Sequence, residues 1–414
     1  MAIANGNGVN GVNGTNGTNG SHKPSGQTGL WINGLAHQYP PYLCGPERLE
    51  ELATRFYDVE RPGLKKLLQV NRASDIDQRP CIYDMGGTST FLHRPEMPSI
   101  TDLNAIWLKE GVNLSAQACR KALKEWGGEL SEITHLVACT TTCYGNPGVD
   151  LLVADKIGLG PEVQRVLLAG VGCAGGVAIM RVAAQLACAA AARGKPARIL
   201  AFACELCTTN ARQELADAEA STDPENISIA AALFSDGAGA FVMSNDAGLL
   251  EDSGRGPLFE LIDWDNATIP NTLDLMGWDL GPTGYKITLT REVATASAGA
   301  VKPMFAKLFP SFRDKAGLPD ITPADLDWAL HPGGKAILQG VQESMELTEA
   351  QLYAPKHVYK TRGNSSSPTV LIVLDTLRKA EASRDNVVAC AFGPGMAIEM
   401  AFLRRCHPVD DDSD

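Results

Sequence analysis

The stretch RVLLAGVGCAGGVAIMRVAAQLACAAAARGKP, Arg165–Pro196, decides how the rest of the chain is read. Arg165 to Ala169 is a brief apolar run of the kind that forms a buried strand. Gly170, Gly172, Gly175 and Gly176 crowd the turn that follows, where the backbone needs unusual dihedrals or a close approach. From Ala174 to Arg193 there is no proline and good helix formers are dense. The spacing therefore predicts a long helix, stopped by Gly194 and Pro196. Cys173 falls at or just before the N-terminus of that helix, where free N–H groups and the dipole favour a thiolate.

This stretch alone leaves three readings open. Gly170-x-Gly172-x-x-Gly175 lies between a strand and a helix, with a further strand at Arg198–Cys204 and then Glu205, as in a dinucleotide-binding fingerprint. A cysteine on a sharp strand-to-helix elbow is equally the setting of a nucleophile. A cysteine in a tight turn is also an ordinary buried residue.

The composition narrows the classes. A chain of 414 residues, 44% hydrophobic and 20% charged, has room for two domains or one large duplicated one. A formal net charge of -12 argues against nucleic acid as the main partner, and an anionic substrate then needs a local basic patch. Eleven cysteines are scattered through the chain, and Met1–Gly20 lacks an apolar core, so reduced thiols in a cytoplasmic protein are expected. No membrane insertion is expected: the most apolar long run, after Cys173, is interrupted by Arg181 and Gln185. Cys139 with Cys143 and Cys204 with Cys207 invite a metal reading, but no nearby histidine completes a set, so no metal site is expected.

The chain divides into a low-complexity tail over 1–28, a first half over 29–247, a second half over 248–405 and an acidic tail over 406–414. The tail, NGNGVNGVNGTNGTNG, cannot bury a core and is expected to be disordered. Helices are predicted at Pro46–Tyr57, Gly63–Asn71 and Ser99–Trp126, and a buried strand at His135–Thr142. Lys65, Lys66, Arg72 and Arg79 form a positive cluster. Ala211–Asn226 reads as a polar surface excursion. In the second half Asp325–Leu330 is a strand delivering His331 into a Pro-Gly-Gly turn that opens a helix. Val387–Phe402 reads as two strands joined by Gly393-Pro394-Gly395. Strands alternate with helices in both halves, which implies a layered α/β architecture. The helices after Cys173 and after His331 occupy similar places, which suggests a duplication.

His331 and Asn364 are each unremarkable alone, as a buried histidine and a turn residue. A cysteine brought together with a histidine and an asparagine serves thioester and acyl chemistry. The runs GVGCAGG, ALFSDGAGA, WALHPGGKAIL, RGNSSS and FGPGMAIE, in this order over roughly Gly29 to Leu403, resemble the type III polyketide synthases, relatives of chalcone and stilbene synthase. The dinucleotide reading explains neither the cysteine inside the turn nor the histidine and asparagine segments.

The resemblance implies a thiolase-like αβαβα fold of two duplicated halves and a homodimer. It implies Cys173 as nucleophile, with His331 and Asn364 completing the set, and Phe234 as a gate between the CoA tunnel and the cavity. It implies acyl-CoA and malonyl-CoA as substrates, with no further cofactor. Glu205, Cys207, Asn210, Ile287, Ser366, Gly393 and Pro394 are the candidate pocket residues, and Lys65, Lys66 and Arg72 fall near the family's CoA-binding basic segment. Cys207 and Asn210 stand where plant chalcone synthases carry threonine, Ile287 replaces an aromatic ring, and Asn146 replaces a methionine that crosses the dimer. These departures resemble the fungal branch, whose members take fatty acyl starters and release alkylpyrones or alkylresorcinols. A β-ketoacyl-carrier-protein synthase III-like enzyme, doing one condensation on the same fold, is the alternative enzyme. A catalytically silent binding protein is the alternative of another class.

Overall fold

The computed structural model describes residues 28–87, 91–250, 256–380 and 383–406. Almost all of the low-complexity tail over 1–28 and the acidic PVDDDSD end lie outside the described residues. The strands are β1 Leu30–Gln38, β2 Tyr42–Cys44, β3 Arg79–Cys81, β4 His135–Cys139, β5 Gln164–Leu168, β6 Arg198–Leu206, β7 Asp236–Asn245, β8 Phe259–Thr268, β9 Met276–Gly281, β10 Gly284–Leu289, β11 Leu326–Leu330, β12 Asn386–Gly393 and β13 Ala397–Arg405. The helices of the first half are α1 Pro46–Phe56, α2 Pro62–Ala73, α3 Ile100–Ile106, α4 Val112–Trp126, α5 Val149–Ile157, α6 Gly175–Ala192, α7 Ala211–Ala220 and α8 Ala230–Leu233. Those of the second half are α9 Glu292–Ala316, α10 Lys335–Met345, α11 Tyr353–Arg362 and α12 Thr369–Arg378.

The long strands run in the order β11-β12-β13-β8-β1-β7-β6-β4-β5. β1 and β8 meet over only the Trp31–Glu260 and Ile32–Phe259 pairs. Read outward from that seam, the pattern is the same on both sides: two antiparallel pairings, then a parallel one. The alternation of the strands explains the layers. Ile199, Ala201 and Ala203 of β6 join Val387, Ala389 and Ala391 of β12 in one core around α6 and α12. The intervening Leu200, Phe202 and Cys204 face α4 and α5, and Val388, Cys390 and Phe392 face α9 and α10. Helices therefore lie between the two halves and outside each, which is the thiolase-like αβαβα arrangement.

Two expectations change. The helix that corresponds to α6 is α12, not α10: α6 and α12 each run directly into the strand that pairs with the next, β6 with β7 and β12 with β13. The helix after His331 instead matches α5, which follows β4. The Arg165–Ala169 strand is not buried; β5 is the last strand of the sheet and Leu167 on it is exposed, because an edge strand has one neighbour rather than two. A third segment, Ala211–Asn226, opens as helix α7, whose Arg212, Glu214 and Leu215 are buried. The span Gly172–Ala192 is long and apolar enough to cross a membrane, but 61% of its apolar 18-residue window is buried inside the fold, against strands of both halves of the sheet and α12.

The pairing of α6 with α12 is very close at their N-termini. A Cβ added at Gly176 would stand 2.7 Å from the Ser367 carbonyl oxygen and closer still to Val370. Overpacking of this kind costs about 1–3 kcal/mol, against roughly 1 kcal/mol that alanine gains over glycine in a helix. Gly176→Ala is therefore expected to lower the midpoint of chemical denaturation despite the better helix former. A midpoint at or above wild type would show that the two helices have room to part.

Candidate active site

Cys173 sits in a single 3-10 turn, Gly172–Ala174, that leads straight into α6. Gly172 has a φ of +49°, and a side chain there would run into the Pro394 ring. Gly393 in turn lies against the Val171 carbonyl and Ala174. These glycines thus let the β12–β13 turn press on the cysteine elbow. Gly175 and Gly176 admit α12 in the same way, and none of the four is spent on a phosphate. Cys173 is 8% exposed and its thiol donates to Ser366 Oγ at 3.4 Å.

Asn364 comes to the same place from the other half. Its backbone N–H donates to the Leu233 carbonyl at 3.0 Å, and its own carbonyl accepts from Ser235 N–H at 2.8 Å. That bridge ties it to Phe234. Asn364 Oδ1 accepts the Ser366 N–H at 2.8 Å, which turns the amide NH2 the other way, toward the Gly333 carbonyl at 3.3 Å. His331 follows β11, its N–H donating to the Cys390 carbonyl at 2.7 Å. The side chain is 1% exposed, and neither ring nitrogen has a hydrogen-bond partner among the described residues. A buried imidazole with both nitrogens free is costly unless a ligand or a reacting group uses them.

The electrostatics differ from the thiolate expected of a helix N-terminus. Burial pushes the Cys173 thiol up to about 11, only partly offset by hydrogen bonds from Ser366 and Asn364, and the nearby Glu205 raises it further. Burial also lowers the His331 imidazole to about 3. Each group alone is thus neutral near pH 7, since removing either charge from water outweighs the local dipoles. A neutral imidazole carries one N–H and one acceptor nitrogen, and with no partner at either position both tautomers are open to it. A thiol, a proton acceptor and a carboxamide in one dry site can accept an acyl group and stabilise an oxyanion.

A narrow cavity of about 20 Å3 reaches Cys173, and Phe234, Ile287, Ser366 and Pro394 line it as read from the sequence. Thr141, Thr142, Met276 and Trp278 line it as well. The hydroxyls closing HLVACTTT were a signal for the threonines. β9 carries Met276 and Trp278, and its apolar Met276, Trp278 and Leu280 alternate with Gly277, Asp279 and Gly281, a period-two signal that marks a strand.

Glu205, Cys207 and Asn210 do not belong to that lining. The Glu205 carboxylate accepts from Ser367 Oγ at 2.5 Å, Thr142 Oγ1 at 2.7 Å and the Thr141 and Thr142 N–H groups at 3.0 Å, so no oxygen is left for a ribose. Burial nevertheless raises its pKa. Cys207 is buried beneath the wall. Asn210 spends its carboxamide on the Tyr285 main chain, at 2.7 and 2.9 Å, fixing β10.

A second cavity of about 440 Å3 is lined by Lys66, Arg291, Gly333, Gly334 and Lys335 among others. Leu289 lines both cavities, and the adjacent Leu233 and Phe234 line one each, so Phe234 stands at their boundary. Lys65 and Arg72 are not in that lining; they are exposed and paired with Glu60 and Glu50. Arg79, read with the basic cluster, is 2% exposed. Its guanidinium donates to the Ala231 and Phe234 carbonyls and its stem packs on Gly363, so it braces the gate and the Asn364 segment together. Among the described residues no group of His, Cys, Asp and Glu has the arrangement of a metal site, and all eleven cysteines are free.

Comparison with known proteins places these features in a family. The profile for the N-terminal domain of chalcone and stilbene synthases matches residues 89–247, and that for the C-terminal domain matches 261–407. The type III polyketide synthase pspB of Penicillium soppii is 52% identical over 404 residues, 95% of this chain and 99% of that one. The acylalkylpyrone synthase csyB of Aspergillus oryzae is 34% identical over 379 residues, 90% of this chain and 94% of that one. The structure of CsyB complexed with CoA-SH superposes with a TM-score of 0.85 at 32% identity, covering 91% of this chain and 100% of that one. The type III pentaketide synthase from Neurospora crassa superposes with a TM-score of 0.86 at 39% identity, with the same coverage of 91% and 100%.

Inactivation by iodoacetamide, followed against pH, tests the coupling of the thiol to the imidazole. In His331→Gln the profile is expected to move to higher pH, because the acceptor that draws the proton from Sγ is gone while burial still opposes the thiolate. The same midpoint in both proteins would mean that the imidazole does not reach the thiol.

Proposed function

The chain belongs to the chalcone and stilbene synthase family, and from that premise we propose that Cys173, His331 and Asn364 are the catalytic set of this type III polyketide synthase. The enzyme is an acyltransferase of the decarboxylative-condensation kind. One observation carries the assignment of residues: the Cys173 thiol lines a narrow cavity within hydrogen-bond reach of Ser366 and the Asn364 side chain, and Asn364 in turn reaches the carbonyl of Gly333, the residue that lies against the His331 imidazole, whose nitrogens have no partner among the described residues.

The chemistry follows from those groups. As Cys173 Sγ attacks the acyl-CoA carbonyl, its proton passes to His331 and then to the departing CoA thiolate, leaving the acyl group as a thioester on the enzyme. Malonyl-CoA next loses carbon dioxide and becomes an enolate. The imidazole N–H and the Asn364 NH2 donate to its oxygen, and the dry site strengthens both bonds. The enolate carbon attacks the Cys173 thioester, the thiolate leaves, and the chain, longer by two carbons, is reloaded.

The 440 Å3 cavity is the route by which CoA thioesters reach the gate, with Lys66, Arg291 and Lys335 available to phosphate once it displaces Glu225 and Asp75, the carboxylates that pair with them. CsyB binding CoA-SH supports this. A fatty acyl starter with release as an alkylpyrone or alkylresorcinol is the product reading, supported by the acylalkylpyrone synthase among the relatives. About 20 Å3 holds little more than one water. The walls therefore yield as the chain grows.

The homodimer has a candidate surface. Edge strand β5 exposes Leu167, and Tyr144 and Leu151 are exposed too, with Leu167 touching the loop at Gly148, two residues from Asn146. Across a two-fold axis this strand meets its own copy antiparallel, which closes the edge. The free thiols fit a reducing, cytoplasmic setting.

Cys173→Ala is expected to abolish polyketide formation from any acyl-CoA with malonyl-CoA. His331→Ala and Asn364→Ala are expected to slow carbon dioxide release from labelled malonyl-CoA by on the order of 100-fold. Release at the wild-type rate in both would remove the enolate role. Leu167→Asp is expected to give a monomer on analytical ultracentrifugation, and an unchanged mass would place the interface elsewhere.

A further inference from the structure

Two polar atoms on the wall of the Cys173 cavity have no partner among the described residues: Thr141 Oγ1 and the indole nitrogen of Trp278. The second is the more telling, because an indole N–H can only donate and cannot rotate to a new partner as a hydroxyl can. The ring is held from several sides. It meets Phe234 edge-on, with centroids 5.4 Å apart, and lies 5.6 Å from Tyr285. The Tyr285 hydroxyl is itself anchored on the Thr142 carbonyl at 2.8 Å. Across the hairpin Trp278 is paired with Ile287, another wall residue. A fixed donor with no protein acceptor, in the wall of a substrate cavity, is a binding group awaiting an acceptor on the substrate.

We propose that Trp278 is a specificity-determining residue whose indole N–H binds a ketone oxygen of the growing chain. This rests on the cavity being the elongation site. A saturated acyl starter carries no acceptor beyond its thioester, whereas each condensation leaves one ketone on the chain. The contact therefore forms only after extension has begun. It favours retention of a keto-bearing chain for the next round over its early release, and it does not touch loading.

Trp278→Phe and Trp278→His separate donor from volume. Phenylalanine is nearer tryptophan in size but has no N–H; histidine is smaller and keeps one. Loading of Cys173 is followed in both variants by mass spectrometry of the intact protein with an acyl-CoA alone, so that the product ratio is read per loaded enzyme. In Trp278→Phe the ratio of fully extended to early-released products is expected to fall by about threefold to tenfold, the effect of one lost hydrogen bond. In Trp278→His the ratio is expected to lie nearer to wild type. An unchanged ratio in Trp278→Phe, or a larger loss in Trp278→His than in Trp278→Phe, overturns the inference. A wild type that releases only single-condensation products overturns the elongation reading and this inference with it.

Discussion

The structure depends on how closely the N-termini of α6 and α12 approach each other. Gly175 and Gly176 carry no Cβ where Cys139, Ser367 and Val370 need the room. That contact joins the two halves at the point where one contributes the cysteine and the other the asparagine. The turn at Gly393–Pro394 presses on the same elbow from a third side, through Gly172. Reactive groups on three separate segments are thus located by backbone packing rather than by long side chains. Close packing tolerates little displacement, so the geometry is carried by the rigid middle layer of the fold.

The same burial sets the electrostatics. A thiol raised to about 11 and an imidazole lowered to about 3 form a neutral pair at rest. Glu205 lies beneath this site with its carboxylate saturated by hydroxyl and amide donors. It organises the Thr140–Thr142 strand end and Ser367 without entering the cavity. Arg79 does comparable work behind Phe234 and Asn364. Both are buried polar groups that cost desolvation and return it as position.

Cys173 was legible from local sequence, on a glycine-rich elbow before an alanine-rich helix, whereas His331 and Asn364, unremarkable alone, were joined to it only through the family resemblance of the runs that hold them. The pocket was less legible. Asn210 and Cys207 were read into it from the family positions that follow Glu205, but the 3-10 turn Cys207–Asn210 buries both outside the cavity lining. Trp278 was missed although Met276, Trp278 and Leu280 alternate with Gly277, Asp279 and Gly281, because six residues of alternation do not say which face covers the cavity. Lys65 and Arg72 share a helix with Lys66, yet only Lys66 faces the larger cavity, since successive helical residues point about 100° apart.

The sequence by itself determined the layered α/β class and the glycine-rich elbow that carries Cys173. Strand alternation, helix propensity and turn chemistry are properties of neighbouring residues, and they survive in a linear reading. Only the tertiary structure decided that β5 lies at an edge, that α12 rather than α10 is the partner of α6, and which side chains line the cavity. Those outcomes depend on which segments, hundreds of residues apart, cover one another, and burial then sets the charge state of the groups they enclose.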